Sequence, residues 1–180
     1  SLDGLYLALC SFENTKGKIN YEIEKADTLP YSTNWLSKLQ NAHLLGGEEL
    51  LLLNQQYGAY LGELVNVFLA KHNISKDEVD LVSSHGHTIF HQPDKDFTYQ
   101  LGSSATLAVT CQIDTVCDFR TQDVLLGGQG APLVPIGDLL LFNEFNYCLN
   151  IGGIANISFE VNHERVAWDI CPANMVLNYF

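Results

Sequence analysis

Positive charge is scarce in this chain of 180 residues. Nine Lys and Arg stand against 21 Asp and Glu, for a formal net charge of −12. Only two of the nine are arginines, Arg120 and Arg165. Nucleic acid and anionic membrane surfaces need clustered positive charge, so neither is expected as a partner. A nucleotide is not excluded, because backbone N–H groups and a divalent cation neutralise phosphates without basic side chains. Also missing are a signal peptide, low-complexity stretches and any apolar run long enough to cross a bilayer, which leaves the cytoplasm as the expected compartment. Apolar content is 47% and charged content 17%, as in globular rather than disordered chains. The length suits one good-sized core, or one domain and a piece of another.

Disulfide and zinc frameworks are missing too. The five cysteines (Cys10, Cys111, Cys117, Cys148, Cys171) are odd in number, and Cys111 and Cys117 lack zinc-knuckle spacing. Four of the five sit in apolar, strand-like surroundings, which predicts buried free thiols in a reduced compartment. The chain opens inside a turn, with no strand before it, and stops soon after Asn174, so both ends read as cut.

Hydrophobic period and breakers give a coarse element map. Residues 5–12 read as a buried strand, 13–17 as a polar turn, and 18–26, with Ile19, Tyr21 and Ile23 on one face, as the antiparallel partner. A third short strand is expected over 27–31. Ser32 or Thr33 caps a helix to about residue 45, Gly46-Gly47 break it, and 48–72 form a second helix with acidic residues in its first turn. Then follow a strand at 79–84, a His-rich loop at 84–93, a strand at 97–101, a helix from Ser103 or Ser104 to Cys111, and a strand at 115–118. Residues 119–135 are expected to be a long Gly-rich loop, functional or mobile. A helix at 136–142, strands at 147–150, 154–160 and 165–169, and a helix from about Asn174 complete the map. The β-β-β-α order restarts, which predicts a first α/β domain over 1–145, lacking its opening strand, and the beginning of a related second over 146–180.

The densest chemical signal is Asn150-Ile-Gly-Gly-Ile-Ala-Asn156 followed by Asp169. Without Cβ atoms, Gly152 and Gly153 let the backbone turn tightly and bring N–H groups close to an anion. Asp169, at a strand end, is placed to accept a proton from an attacking nucleophile. Together they point to phosphoryl transfer to a hydroxyl or to water; alone, Asp169 reads as a helix cap. Ser1-Leu2-Asp3-Gly4 reads either as a plain hairpin turn or as a phosphate-facing turn whose Asp3 holds magnesium through water. His85, His87 and His91 have metal-like spacing, but zinc needs a further ligand and an open position. Otherwise they are substrate-contacting or structural. Arg120 suits a carboxylate through its bidentate fork, or else pairs locally with Asp118 or Asp123. Leu126-Gly-Gly-Gln-Gly-Ala-Pro132 has glycines for close backbone approach to a ligand, yet matches neither a Walker loop nor a dinucleotide fingerprint.

Four runs, in order along nearly the whole chain, resemble the 1,6-anhydro-N-acetylmuramic acid kinase family of bacterial cell-wall recycling. They are Ser1 to Gly4; Ser84-His-Gly-His-Thr88 with His91-Gln-Pro93; Asp118-Phe-Arg120 with Gly127-Gly-Gln-Gly-Ala-Pro-Leu-Val-Pro135; and Asn150 to Asn156 with Asp169. The resemblance implies the α/β sugar kinase/actin/heat-shock ATPase fold, two ribonuclease-H-like domains around a cleft. It implies an ATP- and Mg2+-dependent reaction that opens the 1,6-anhydro ring with water and phosphorylates O6, giving N-acetylmuramate 6-phosphate. By resemblance Asp169 is the base that activates water for attack at C1. Ser1, Leu2, Asp3 and Gly4 belong to a first phosphate loop, with Asp3 on Mg2+ through water, and Asn150, Gly152, Gly153 and Asn156 to a second. His85, Arg120, Gly128, Gln129 and Asn174 contact the sugar, whose lactyl carboxylate suits an arginine. The implied partners are that sugar and ATP, and homodimers are common in the family.

Two departures stand out. His87 occupies a position that is usually Gln, and Ile170-Cys-Pro-Ala-Asn174 replaces the usual Thr-Gly-Pro-Gly-Asn. The lost hydroxyl and glycines are expected to hinder backbone approach, and the chain alone is expected to bind ATP poorly. Competing expectations are a non-catalytic sugar-binding relic of the family and a histidine-metal hydrolase.

Overall fold

The computed structural model describes residues 4–162 and 164–177. It is mixed α/β and falls into two compact units. One comprises residues 4–9 and Lys25–Gly130; the other comprises Cys10–Glu24 and residues 131–177.

Strands β1 (Leu5–Thr15) and β2 (Lys18–Leu29) form a hairpin. Its turn is tighter than the five residues expected. Lys16 and Gly17 both take positive φ, and Asn14 accepts from the Gly17 N–H at 3.0 Å. The third strand expected at 27–31 does not exist separately. Nothing breaks the ladder at Asp27, so β2 runs on until Pro30, which has no N–H to donate.

Ser32 then caps α1 (Thr33–Asn41), its Oγ accepting from the Trp35 N–H. Helix α2 (Gly47–His72) is the backbone of the first unit. Leu53, Tyr57, Leu61, Val65, Phe68 and Leu69 of α2 share one buried core with Leu101, Leu107, Cys111 and Ile113, and with Leu39 and Ala42. Glycines inside α2 look helix-breaking in sequence, but both are packing sites. A Cβ at Gly58 would lie 2.5 Å from the Ser103 carbonyl oxygen, and one at Gly62 would lie 2.6 Å from Thr110 Cβ. The close approach of α3 (Ser104–Cys111) outweighs their poor helix propensity.

Short strand β3 (Val82–Ser84) pairs parallel with β6 (Thr115–Cys117). Strand β4 (His87–Gln92) pairs antiparallel with β5 (Phe97–Leu101), so most of the expected His-rich loop is a strand. Its histidines occupy ladder positions, and the partner strand overrides their polar composition. The expected Gly-rich loop is likewise interrupted, by α4 (Thr121–Leu125) and by the start of α5 (Val134–Leu141).

In the second unit β7 (Tyr147–Ile151), β8 (Ile154–Val161) and β9 (Glu164–Pro172) make an antiparallel meander, followed by α6 (Asn174–Leu177). Among the described residues, no helix is long and apolar enough to cross a membrane. All five cysteines are free, but only Cys111 is buried; Cys171 is exposed and the other three are half-buried. The expectation of buried thiols fails where cysteines lie on lightly covered strands.

Candidate functional site

Two clusters carry the residues singled out in the sequence, one in each unit.

In the first unit, β3 and β6 run parallel and end together, so His85 and Asp118 leave adjacent strand ends. Arg120 donates from Nε to His85 Nε2 at 2.8 Å and from Nη1 to the Gly130 carbonyl at 2.5 Å. His85 must therefore keep Nε2 unprotonated, and its Nδ1–H donates to the Gly86 carbonyl at 3.0 Å. Burial and then the Arg120 charge hold its pKa below the ordinary value, in keeping with a neutral ring. Arg120 does not pair with Asp118 or Asp123. The ion pairs among the described residues join Asp27 to Lys71 and His72. With Nε and one Nη1 hydrogen engaged, the Nη face of the guanidinium still offers donors for a carboxylate.

Asp123 does something the sequence did not reveal. Its carboxylate accepts the Gly130 N–H at 2.7 Å, while its carbonyl accepts the Gly128 N–H at 2.8 Å. Gly130 is thus held at its N–H by Asp123 and at its carbonyl by Arg120. A Cβ at Gly128 would meet the Asp123 carboxylate at 2.2 Å, and one at Gly130 would meet Val124 Cγ2 at 2.6 Å. Gly128 and Gly130 thus pack closely on α4, an internal reason for glycine that stands beside the ligand approach expected from the sequence. Gln129, between them, is exposed. The signal available was an acidic residue one helical turn before a glycine cluster.

A polar cleft of about 190 Å³ adjoins His85, lined by Asn54, Tyr99, Gln100, Ser103 and Asp118 among others. Asp118 has φ of +60°, unusual for a non-glycine residue, and accepts from the Thr121 hydroxyl. The Tyr99 hydroxyl and Gln100 Oε1 are buried without a hydrogen-bond partner. Such groups suit a polar ligand substituent. His87 and His91 form no metal cluster with His85 among the described residues. His91 bonds Thr98 Oγ1, and no metal-competent group of three His, Cys, Asp or Glu occurs among the described residues.

In the second unit, three strands bring the Asn-Gly-Gly-Asn segment and Asp169 together. Asn150 pairs with Asn156 across β7 and β8, and Asn156 pairs with Asp169 across β8 and β9. Directly opposed residues point to one face, so the three side chains form a row. Asn156 is buried and Asp169 exposed. The register shifts just after Asp169, leaving Ile170 as the extra residue of a bulge. Bulges re-aim a strand and recur beside active sites. Here β9 is turned onto the glycine turn: Ala173 and Asn174 donate backbone N–H groups to the Gly153 and Gly152 carbonyls, at 2.8 and 3.1 Å. Asp169 lies within β9, ahead of α6. A Cβ at Gly152 would find only the Ile154 carbonyl oxygen, at 3.6 Å, and Gly152 has no left-handed φ. No neighbour among the described residues demands a glycine there. Gly4 differs, since a Cβ there would meet the Leu29 carbonyl oxygen at 2.6 Å. Ser1, Leu2 and Asp3 lie outside the described residues.

A family model described as anhydro-N-acetylmuramic acid kinase matches residues 1–180. The chain belongs to the anhydro-N-acetylmuramic acid kinase family. An anhydro-N-acetylmuramic acid kinase of Shewanella sediminis is 37% identical over 188 residues, spanning 99% of this chain and 50% of that protein. Proteins of the same name from Francisella tularensis subsp. novicida and Bacillus cereus are each 33% identical over 193 residues, covering 99% of this chain and 51% and 50% of their own lengths. The chain therefore spans about half the length of the curated kinases it matches.

Proposed function

We propose that this chain carries the general base and part of the sugar-recognition apparatus of an ATP-dependent kinase that opens the 1,6-anhydro ring of anhydro-N-acetylmuramic acid and phosphorylates O6. The observation that carries the reading is the Asn150–Asn156–Asp169 row, set at a bulge beside a glycine turn, in a chain of this family. Asp169 is exposed, as a group that meets substrate must be, and would take the proton from the water that attacks C1. Arg120, its imidazole neighbour held neutral, would bind the lactyl carboxylate, with His85, Gly128 and Gln129 as further sugar contacts in the first unit, and Asn174 is assigned to the sugar by the resemblance alone. The cleft beside His85 would receive an uncharged polar substituent of the sugar.

Gly152 fits a phosphate loop, because its missing side chain answers no close contact among the described residues. Asn150, Gly153 and Asn156 would complete it, and Ser1, Leu2, Asp3 and Gly4 are assigned to the other phosphate loop by the resemblance alone. When bound, ATP supplies the phosphoryl group. The described residues offer no cluster for Mg2+, so its placement on Asp3 rests on the resemblance alone. The same reading takes the chain as a ribonuclease-H-like domain over 1–145 and the start of a second over 146–180, working in the cytoplasm as part of a homodimer. The antiparallel meander β7–β8–β9 followed by α6 supports the second of these.

The test is release of ADP from ATP and magnesium in the presence of the anhydro sugar, with mass spectrometry of the product. A 6-phosphate supports the reading. Sugar binding without product leaves a sugar-binding relic, and neither binding nor product removes the assignment of the site.

A further inference from the structure

The β8–β9 ladder has a weakness at its functional end. The bulge interrupts pairing immediately after Asp169. Nor does burial hold the register. Trp168 and Ile170, the large apolar residues beside Asp169, are each 51% exposed, while the face that carries Asp169 presents the small Ala167 opposite Ser158. Because side chains alternate, a one-residue slip of β9 would carry Trp168 to the face now held by Asp169, and Asp169 to the other. Beyond one edge-on contact between Trp168 and Phe159, with ring centroids 5.0 Å apart, hydrophobic patterning does not oppose that slip.

Something directional does. Arg165, on the same face of β9, reaches across two strands. Its Nε and Nη2 donate to Ser158 Oγ on β8, at 3.2 and 3.0 Å, and Nη2 donates to Cys148 Sγ on β7 at 2.8 Å. The Ser158 hydroxyl in turn donates to the Asp138 carboxylate of α5. Ser158 is 1% exposed and Asp138 7%. Burial makes these bonds costly to break, because a slip would strand Asp138 and Ser158 away from water.

We propose that Arg165, Ser158 and Asp138 form a positioning set that fixes the register of β9 and so decides which face of the sheet carries Asp169. The inference rests on the reading of Asp169 as the general base. None of the three touches the reacting atoms; they act through the strand. The sequence offered one hint, a lone Asp in the apolar helix Val134–Leu141.

The test is NMR of the 180-residue chain, following cross-strand NOEs between Asn156 and Asp169 and between Ile157 and Trp168. In Arg165→Met these NOEs should vanish or split into two sets, with partial recovery in Arg165→Lys. The core around Tyr57 and Leu107 should keep its spectrum. Ser158→Ala, which removes the hub and keeps both charged groups, should give the same loss and decides the matter if Arg165→Met fails to fold the meander. Unchanged NOEs in both variants would overturn the proposal. Asp169→Asn should keep every NOE, so retention of turnover in that variant would remove the base assignment while leaving the register result standing.

Discussion

Replacing Gly130 by alanine should destabilise the first unit far more than the same change at Gly127, two glycines earlier in the same loop. Both have positive φ, +63° and +88°. The backbone penalty for an L-residue is therefore shared, at about 1–2 kcal/mol. What differs is space. A Cβ at Gly127 meets nothing within 4 Å, whereas one at Gly130 falls 2.6 Å from Val124 Cγ2, on a side chain only 1% exposed. Val124 cannot swing away, so overpacking adds about 1–3 kcal/mol. Gly130→Ala should thus cost about 2–5 kcal/mol in all. The assay is urea unfolding in a Trp168→Phe background, which leaves Trp35, stacked on Tyr60 with ring centroids 4.5 Å apart, as the fluorescent reporter of the first unit. With a urea slope of about 1–3 kcal/mol/M, the Gly130→Ala midpoint should lie on the order of 1 M below that of Gly127→Ala. Equal midpoints would refute the claim that this loop is packed onto α4, and would leave ligand approach as the reason for its glycines.

Asp169→Asn should abolish turnover while calorimetric sugar binding is unchanged; equal loss of both would mean the carboxylate binds rather than takes a proton. Arg120→Ala should weaken sugar binding by about 1.5–3 kcal/mol, roughly ten- to a hundredfold, the worth of a charge-assisted hydrogen bond, and an unaltered affinity would disprove its carboxylate contact. Burial is the main cause that lowers the pKa of both His85 and His87 from 6.5, helped by the Arg120 charge at His85 and by the His85 charge at His87. The unfolded chain then binds protons first, so their contribution to stability is complete above pH 6.5 and is lost as pH falls toward the depressed folded values. Thermal midpoints should drop over that window, and drop less in His85→Asn; identical slopes would show that His85 is not the titrating group.

Local chemistry was legible in the sequence, and long-range partners were not. Helix α3 and strand β5 follow directly from Ser103 as cap and from the alternation of Phe97–Leu101, because their boundaries are set by neighbours in the chain. Helix α2 was legible in spite of Gly58 and Gly62, but the reason for those glycines lay across space in Ser103 and Thr110. Strand β4 was hidden because a partner, not composition, makes a His-rich run extended. The site divides in the same way. Asp169, Asn156 and Gly152 could be picked out by residue type and spacing. That they share one row depends on a register with a bulge in it, and no periodicity encodes where a ladder skips a residue. A single substitution beside the bulge makes the point. Ile170 is the unpaired residue, with a half-exposed side chain, and so needs neither the hydroxyl nor the small size that the family usually supplies there. Ala173 still donates its N–H to Gly153, so the turn keeps its hydrogen bond whichever residue provides the amide. Restoring Thr at 170 and Gly at 171 and 173 should therefore leave the fold of the meander unchanged in NMR and raise turnover. A change in fold without a gain in turnover would show that these positions serve structure here, and that the expectation of hindered backbone approach was mistaken.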